Sequence, residues 1–228
     1  TLELKVSYTD SKGTTVHSTT TSTTLTGSAI APVHSAIEFN PTSCALDPVL
    51  TGDVATQQVQ VSQQNVSAVT YSFGTGLPSD FPFTFATADG SVTITAQPVA
   101  PGTFNATLTA TGSDTRDGHA GQSTIGTLPV SITVGLQAPV LVGGSNLAGT
   151  HYLKWTKVPC ATAYQVYEVN GGAKTLLTTT SVAEDATHIT HSIAASADKI
   201  YEVEAISTYG GGNYTSLSNQ WQVDHDAI

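Results

Sequence analysis

Apolar residues recur at every second position along this chain, and no stretch shows the three-to-four spacing of an amphipathic helix. Leu2, Leu4, Val6 and Tyr8 alternate with Glu3, Lys5 and Ser7. Asp10-Ser11-Lys12-Gly13 then supplies turn residues, and residues 14–25 return as a Thr/Ser-rich strand, so the segment reads as a β-hairpin. The alternation resumes over 54–61, 69–73, 83–86, 92–96, 103–111 and 128–134. Gly74-Thr75-Gly76, Asp89-Gly90, Pro101-Gly102 and Asp117-Gly118 punctuate it. Strands repeating every ~8–12 residues between such turns predict a β-sandwich. Composition agrees: charged residues are only 11%, against a usual ~25%, and Thr, Ser, Val and Ala take their place. β-branched residues suit a half-buried pleated surface.

The 228 residues suffice for two modules of ~100 residues each with a short extra segment. The boundaries expected are a hairpin and linker over 1–35, a first sandwich over 36–135 and a second over 138–226. The linker is the small-residue stretch 27–35 with Pro32. An isolated hairpin is marginal in water, so the first segment is expected to pack on another module or on a protein partner. It reads either as an extra hairpin of the first sandwich or as an element for strand exchange and assembly.

Phe39-Asn40-Pro41-Thr42-Ser43, Thr56-Gln57-Gln58-Val59-Gln60-Val61 and Val99-Ala100-Pro101-Gly102-Thr103-Phe104-Asn105-Ala106-Thr107-Leu108-Thr109 resemble bacterial Ig-like repeats. In those, a proline–glycine–aromatic turn leads into a threonine-rich strand. In the second half, Leu153-Lys154-Trp155 and Val158-Pro159-Cys160-Ala161-Thr162-Ala163-Tyr164-Gln165-Val166-Tyr167 resemble strands B and C of fibronectin type III domains. Tyr201-Glu202-Val203-Glu204-Ala205 resembles strand F. The resemblance implies Trp155 as the core tryptophan, Tyr164 and Val166 pointing inward, and Tyr201 as the tyrosine-corner residue. Gly210-Gly211-Gly212 would turn between F and a last strand over 214–223. Cys160 stands where glycine is usual. The fold class expected is all-β: tandem Ig-like β-sandwiches with an N-terminal β-hairpin extension.

Seventeen acidic against seven basic residues give a formal charge of −10. Such a field repels nucleic acid and anionic lipid, with no basic cluster to offset it. No run approaches the ~20 apolar residues of a membrane helix. Thr1 and the absence of methionine fit either a product lacking its leader or removal of an initiator methionine before a small residue.

Cys44 and Cys160 lack metal or redox spacing; they are either an inter-module bridge or two unpaired small hydrophobes. His188 and His191, three apart on a strand, point to opposite faces. His225 between Asp224 and Asp226 reads as a tail. No nucleophile elbow, zinc spacing or phosphate loop occurs. Asp114-Thr115-Arg116-Asp117-Gly118 is the best calcium candidate, with an Asx-type turn as the simpler reading. Asn65, Asn105 and Asn213 lie in sequons. Phe73, Phe81, Phe83 and Phe85, with Pro78 and Pro82 between them, offer a carbohydrate platform or, more simply, core packing of Phe73, Phe83 and Phe85 with Phe81 at a loop edge. Catalytic, cofactor and metal residues are therefore expected to be none. The function expected is display, adhesion or assembly on a virion, on a cell surface or outside the cell, with protein partners and surface glycans as the contacts. The other reading is an accessory spacer or carbohydrate-binding module of a secreted polysaccharide-degrading enzyme.

Overall fold

The computed structural model describes residues 2–9, 15–23, 34–145, 151–181, 187–193 and 197–224. Two compact units divide the chain, Thr1–His34 and Ser35–Ile228. In the first, β1 (Leu2–Thr9) pairs antiparallel with β2 (Thr15–Thr23) as a two-stranded sheet.

The second unit contains two apolar cores. Around the first run β3 (Ala36–Asn40), β4 (Cys44–Ala45), β5 (Val49–Leu50), β6 (Ala55–Gln64), β7 (Val66–Ser72), β8 (Phe83–Ala88), β9 (Ser91–Ala96), β10 (Gly102–Asp114) and β11 (Ser123–Gly135). One sheet has the order β3-β6-β9-β8. The other has β4-β11-β10-β7, with β4 and β5 both parallel to β11. Lettered by chain order, these are sheets ABED and A′GFC, the Ig arrangement. Alternation explains it: Leu108 and Ala110 of β10 and Leu128, Val130, Ile132 and Val134 of β11 point inward, while Thr103, Asn105 and Thr107 face out. Val59, Val92, Ile94, Leu108 and Leu128 are wholly buried, worth ~1.5–3 kcal/mol apiece. Gly126 is needed where β3 crosses onto β11, since any Cβ there would collide with Ile37.

Around the second core run β12 (Leu141–Ser145), β13 (His151–Thr156), β14 (Ala163–Asn170), β15 (Ala173–Ser181), β16 (His188–Ile193), β17 (Lys199–Ser207), β18 (Tyr214–Leu217) and β19 (Trp221–Val223). The sheets are β12-β13-β16 and β15-β14-β17-β18, with β19 also on β17. Trp155, Tyr164 and Tyr201 are the largest buried side chains. Trp155 meets Tyr164 edge-on at 5.5 Å between ring centroids. The Tyr164 hydroxyl accepts the Val158 backbone N–H at 2.6 Å.

The fold is thus all-β with tandem Ig-like sandwiches. Two expectations differ in detail. The strand expected over 214–223 is broken at Ser218–Gln220. There the Ser218 hydroxyl accepts the Val203 N–H, and the Asn219 side chain bonds both the N–H and the carbonyl of Leu141. This break lets the chain tie the two sheets together. Ahead of that strand, Tyr209–Gly211 forms a single 3-10 turn, with Gly210 in left-handed conformation.

Candidate functional site

Where the two sandwiches meet, a cleft of about 520 Å³ opens. Aromatic rings from both form it. Phe73 at the end of β7 and Phe81 and Phe83 at the start of β8 pack edge-on, with centroids 5.3 Å (Phe73–Phe81) and 5.5 Å (Phe81–Phe83) apart. Phe104 on β10 faces Tyr209 of the second sandwich at 6.4 Å. Asp80, Asn105 and Thr107 add oxygen and amide groups to the wall. The rings are held because Phe83 is buried and anchors Phe73 and Phe81, which are half-buried. A cleft of this size, mostly apolar and rich in aromatic rings with few polar groups, suits a small neutral ligand.

The junction around it is built from backbone and side-chain contacts. The Cys160 thiol donates to the Val99 carbonyl, and the Gln137 N–H donates to Thr51 Oγ1 at 3.3 Å. Gly102 leaves room for the Tyr214 hydroxyl, which lies 3.2 Å from where a Cβ would sit.

The residues singled out from sequence fall in different places. Cys44 is buried in the first core and Cys160 lies half-exposed at the junction; both are free. Burial pushes both thiols up, and the Asp80 carboxylate adds to this at Cys160. Cys160 occupies the third position of the Val158–Ala161 turn with φ 61°, which explains why glycine is favoured there. Asp114 is 3% exposed, and its two oxygens take Nε and a terminal nitrogen of Arg116 at 2.6–3.1 Å. Its Oδ1 also takes the Arg116 N–H at 2.9 Å, the Asx-type turn. The Arg116 guanidinium holds that carboxyl well below the usual range, and the carboxylate's bonding to Arg116 leaves the loop poorly suited to calcium. Among the described residues no three His, Cys, Asp or Glu side chains cluster.

His188 is exposed on β16 and His191 half-buried, separated by the buried Ile189. His225 and Asp226 lie outside the described residues. Asn105 and Asn213 are exposed; Asn65 sits with φ 53° in the tight turn between β6 and β7. Phe85 corrects one expectation. It is 36% exposed rather than core, because β8 is an edge strand that is exposed along its length after Phe83, and Phe85 meets the rings of Tyr71 and Phe73 there. Sequence reasoning also missed Phe104, Tyr209 and Asn105 as cleft residues. They are remote in the chain, and only the junction assembles them.

No protein-family model matches the chain, and no curated protein matches it either. Similar solved structures include the titin domains Z1Z2 in complex with telethonin (19% identity, 82% of this chain and 96% of that one, TM-score 0.31). Bovine butyrophilin (13%, 82% and 98%, TM-score 0.30) and human CDH23 EC21-23 (13%, 96% and 72%, TM-score 0.34) are others. At these scores the likeness carries no weight of its own. The class of protein, a tandem Ig-like β-sandwich, stands on the strand order above.

Proposed function

We propose that this chain is a non-catalytic structural and interaction protein displayed on a surface, as a virion component or as a subunit of a bacterial cell-surface filament or adhesin. The observation that carries the reading is the junction. Two sandwiches follow in series, joined by Cys160–Val99 and Phe104–Tyr209, while Gln137–Thr51 ties the connecting segment to the first. This makes a stiff spacer whose edge strands take no further strand among the described residues, leaving edges and loops for contacts. The sheet pairing β12-β13-β16 and β15-β14-β17-β18 around Trp155 supports reading the second sandwich as fibronectin type III-like. The proline–glycine–aromatic turn into β10 supports the bacterial Ig-like reading of the first.

Antibody raised to the chain tests this by electron microscopy. Regular labelling of purified virions or cell envelopes is the expected result. A monodisperse monomer confined to the soluble fraction would sink it.

The cleft favours a second reading, a carbohydrate-binding spacer of a secreted polysaccharide-degrading enzyme. Affinity electrophoresis in gels containing neutral polysaccharides separates the two. Retardation that Tyr209→Ala abolishes supports the second reading; unchanged mobility in every gel supports the first.

A further inference from the structure

β1 and β2 form a sheet of two strands and pair with no third strand among the described residues. Their register sets Leu2, Leu4, Val6 and Tyr8 opposite Thr23, Thr21, Thr19 and His17, so one face carries every apolar residue of β1. Glu3, Lys5 and Ser7 share the other face with Ser22, Thr20 and Ser18. A two-stranded sheet with one apolar face is marginal until something covers that face. Charge says little for an electrostatic partner: Glu3 and Asp10 balance Lys5 and Lys12, so the whole net charge of −10 lies in Ser35–Ile228.

The first sandwich contains a counterpart. β10 and β11 are consecutive antiparallel strands, and Ala138-Pro139-Val140 follows them immediately ahead of β12. β1 and β2 are followed by Ala31-Pro32-Val33 ahead of β3. Laying one Ala-Pro-Val on the other without gaps brings Thr19, Thr21 and Thr23 onto Gly126, Leu128 and Val130. Those are inward positions of β11. The cross-strand partners follow in phase: Val6, Leu4 and Leu2 fall on Ala110, Leu108 and Ala106, the inward positions of β10. A slip of one residue would reverse every face, so this agreement in phase is informative. The connecting segments differ in length, 10–14 against 115–122, as connections between equivalent strands do.

We infer that β1 and β2 are the closing hairpin of a further Ig-like sandwich, whose other strands precede them in the same polypeptide. The inference rests on the reading of the chain as sandwiches in series. Chain order fixes the source. In the first sandwich β3 to β9 come before the β10–β11 hairpin, and Ala-Pro-Val with the next sandwich comes after. The same order puts the complement of β1 and β2 ahead of Leu2. What covers the apolar face is then a β-sheet with its own alternating apolar side, packed ~10 Å away as in any sandwich.

Hydrogen exchange on two chains tests it: the 228-residue chain, and one lengthened by about 100 residues of the reading frame ahead of Thr1. The expected result is exchange of β1 and β2 amides within seconds in the shorter chain, slowed at least about a hundredfold in the longer. In the longer chain Leu4→Lys should remove that protection and Leu4→Val should keep it, with β10 and β11 unaffected by either. Three results would overturn the inference. One is equal protection in the dilute 228-residue chain. Another is protection that appears only as that chain is concentrated, which would assign the face to a second copy. The third is no gain in the longer chain. None of these bears on where the protein is displayed, which fails or stands on the labelling experiment alone.

Discussion

Phe104 of the first sandwich and Tyr209 of the second lie with ring centroids 6.4 Å apart and planes inclined at 39°. Such a pair contributes ~0.5–1.5 kcal/mol beyond its area, alongside the Cys160 thiol on the Val99 carbonyl across the same junction. Tyr209→Ala is expected to uncouple the two sandwiches. Calorimetry should show one thermal transition resolving into two, with the first sandwich lowered by no more than a few degrees. A single unshifted transition would mean the ring pair does not couple them.

Asp114 and Arg116 make stability depend on pH. In the unfolded chain the Asp114 carboxyl titrates near ~3.9, whereas in the fold the guanidinium keeps it ionised to lower pH. Between those values the unfolded chain binds more protons, so stability is fully present above about pH 5 and falls as pH drops through the window. Denaturation midpoints measured from pH 6 to pH 2 should decline more steeply for the native chain than for Asp114→Asn. Equal slopes would remove Asp114 from the account.

Much of the fold was legible because its signals are local. Alternation with period two placed β6, β9, β10 and β11 within a few residues, and Trp155, Tyr164 and Tyr201 are core residues. β4 and β5 went unread: two residues each, they exist only because β11 offers a parallel edge. Phe85 was misplaced because alternation gives a side chain its face but does not say where a sheet ends. The cleft was half legible. The Phe73–Phe85 stretch is visible in sequence, but Phe104 and Tyr209 are brought to it by the packing of one sandwich on the other.

Tyr164 is buried, and its hydroxyl is the acceptor for the buried Val158 N–H. Tyr164→Phe keeps the ring against Trp155 and deletes only that acceptor, stranding the amide at a cost of ~1–3 kcal/mol. Trp155→Ala removes the ring partner and leaves a cavity, at ~3–5 kcal/mol. Chemical denaturation followed by Trp fluorescence measures the first; circular dichroism measures the second, since Trp155→Ala removes the buried one of the two tryptophans and leaves Trp221 alone. A cost below about 0.5 kcal/mol for Tyr164→Phe would indicate that water replaces the hydroxyl.

Cys160 separates two opposed effects that one substitution would confuse. Its φ of 61° costs an L-residue ~1–2 kcal/mol, which glycine does not incur, less ~0.5–1 kcal/mol for glycine's greater freedom when unfolded. Its thiol meanwhile donates to the Val99 carbonyl across the junction. Cys160→Ala loses the thiol and keeps the strained backbone; Cys160→Gly loses the thiol and relaxes it. The glycine variant is therefore expected to be more stable than the alanine variant by roughly 1 kcal/mol, with both showing the same loss of coupling between sandwiches in calorimetry. If the glycine variant were the less stable of the two, the left-handed turn would not be strained, because only glycine's greater freedom when unfolded would then separate them. If coupling were unchanged in both, the thiol contact would contribute nothing to the junction.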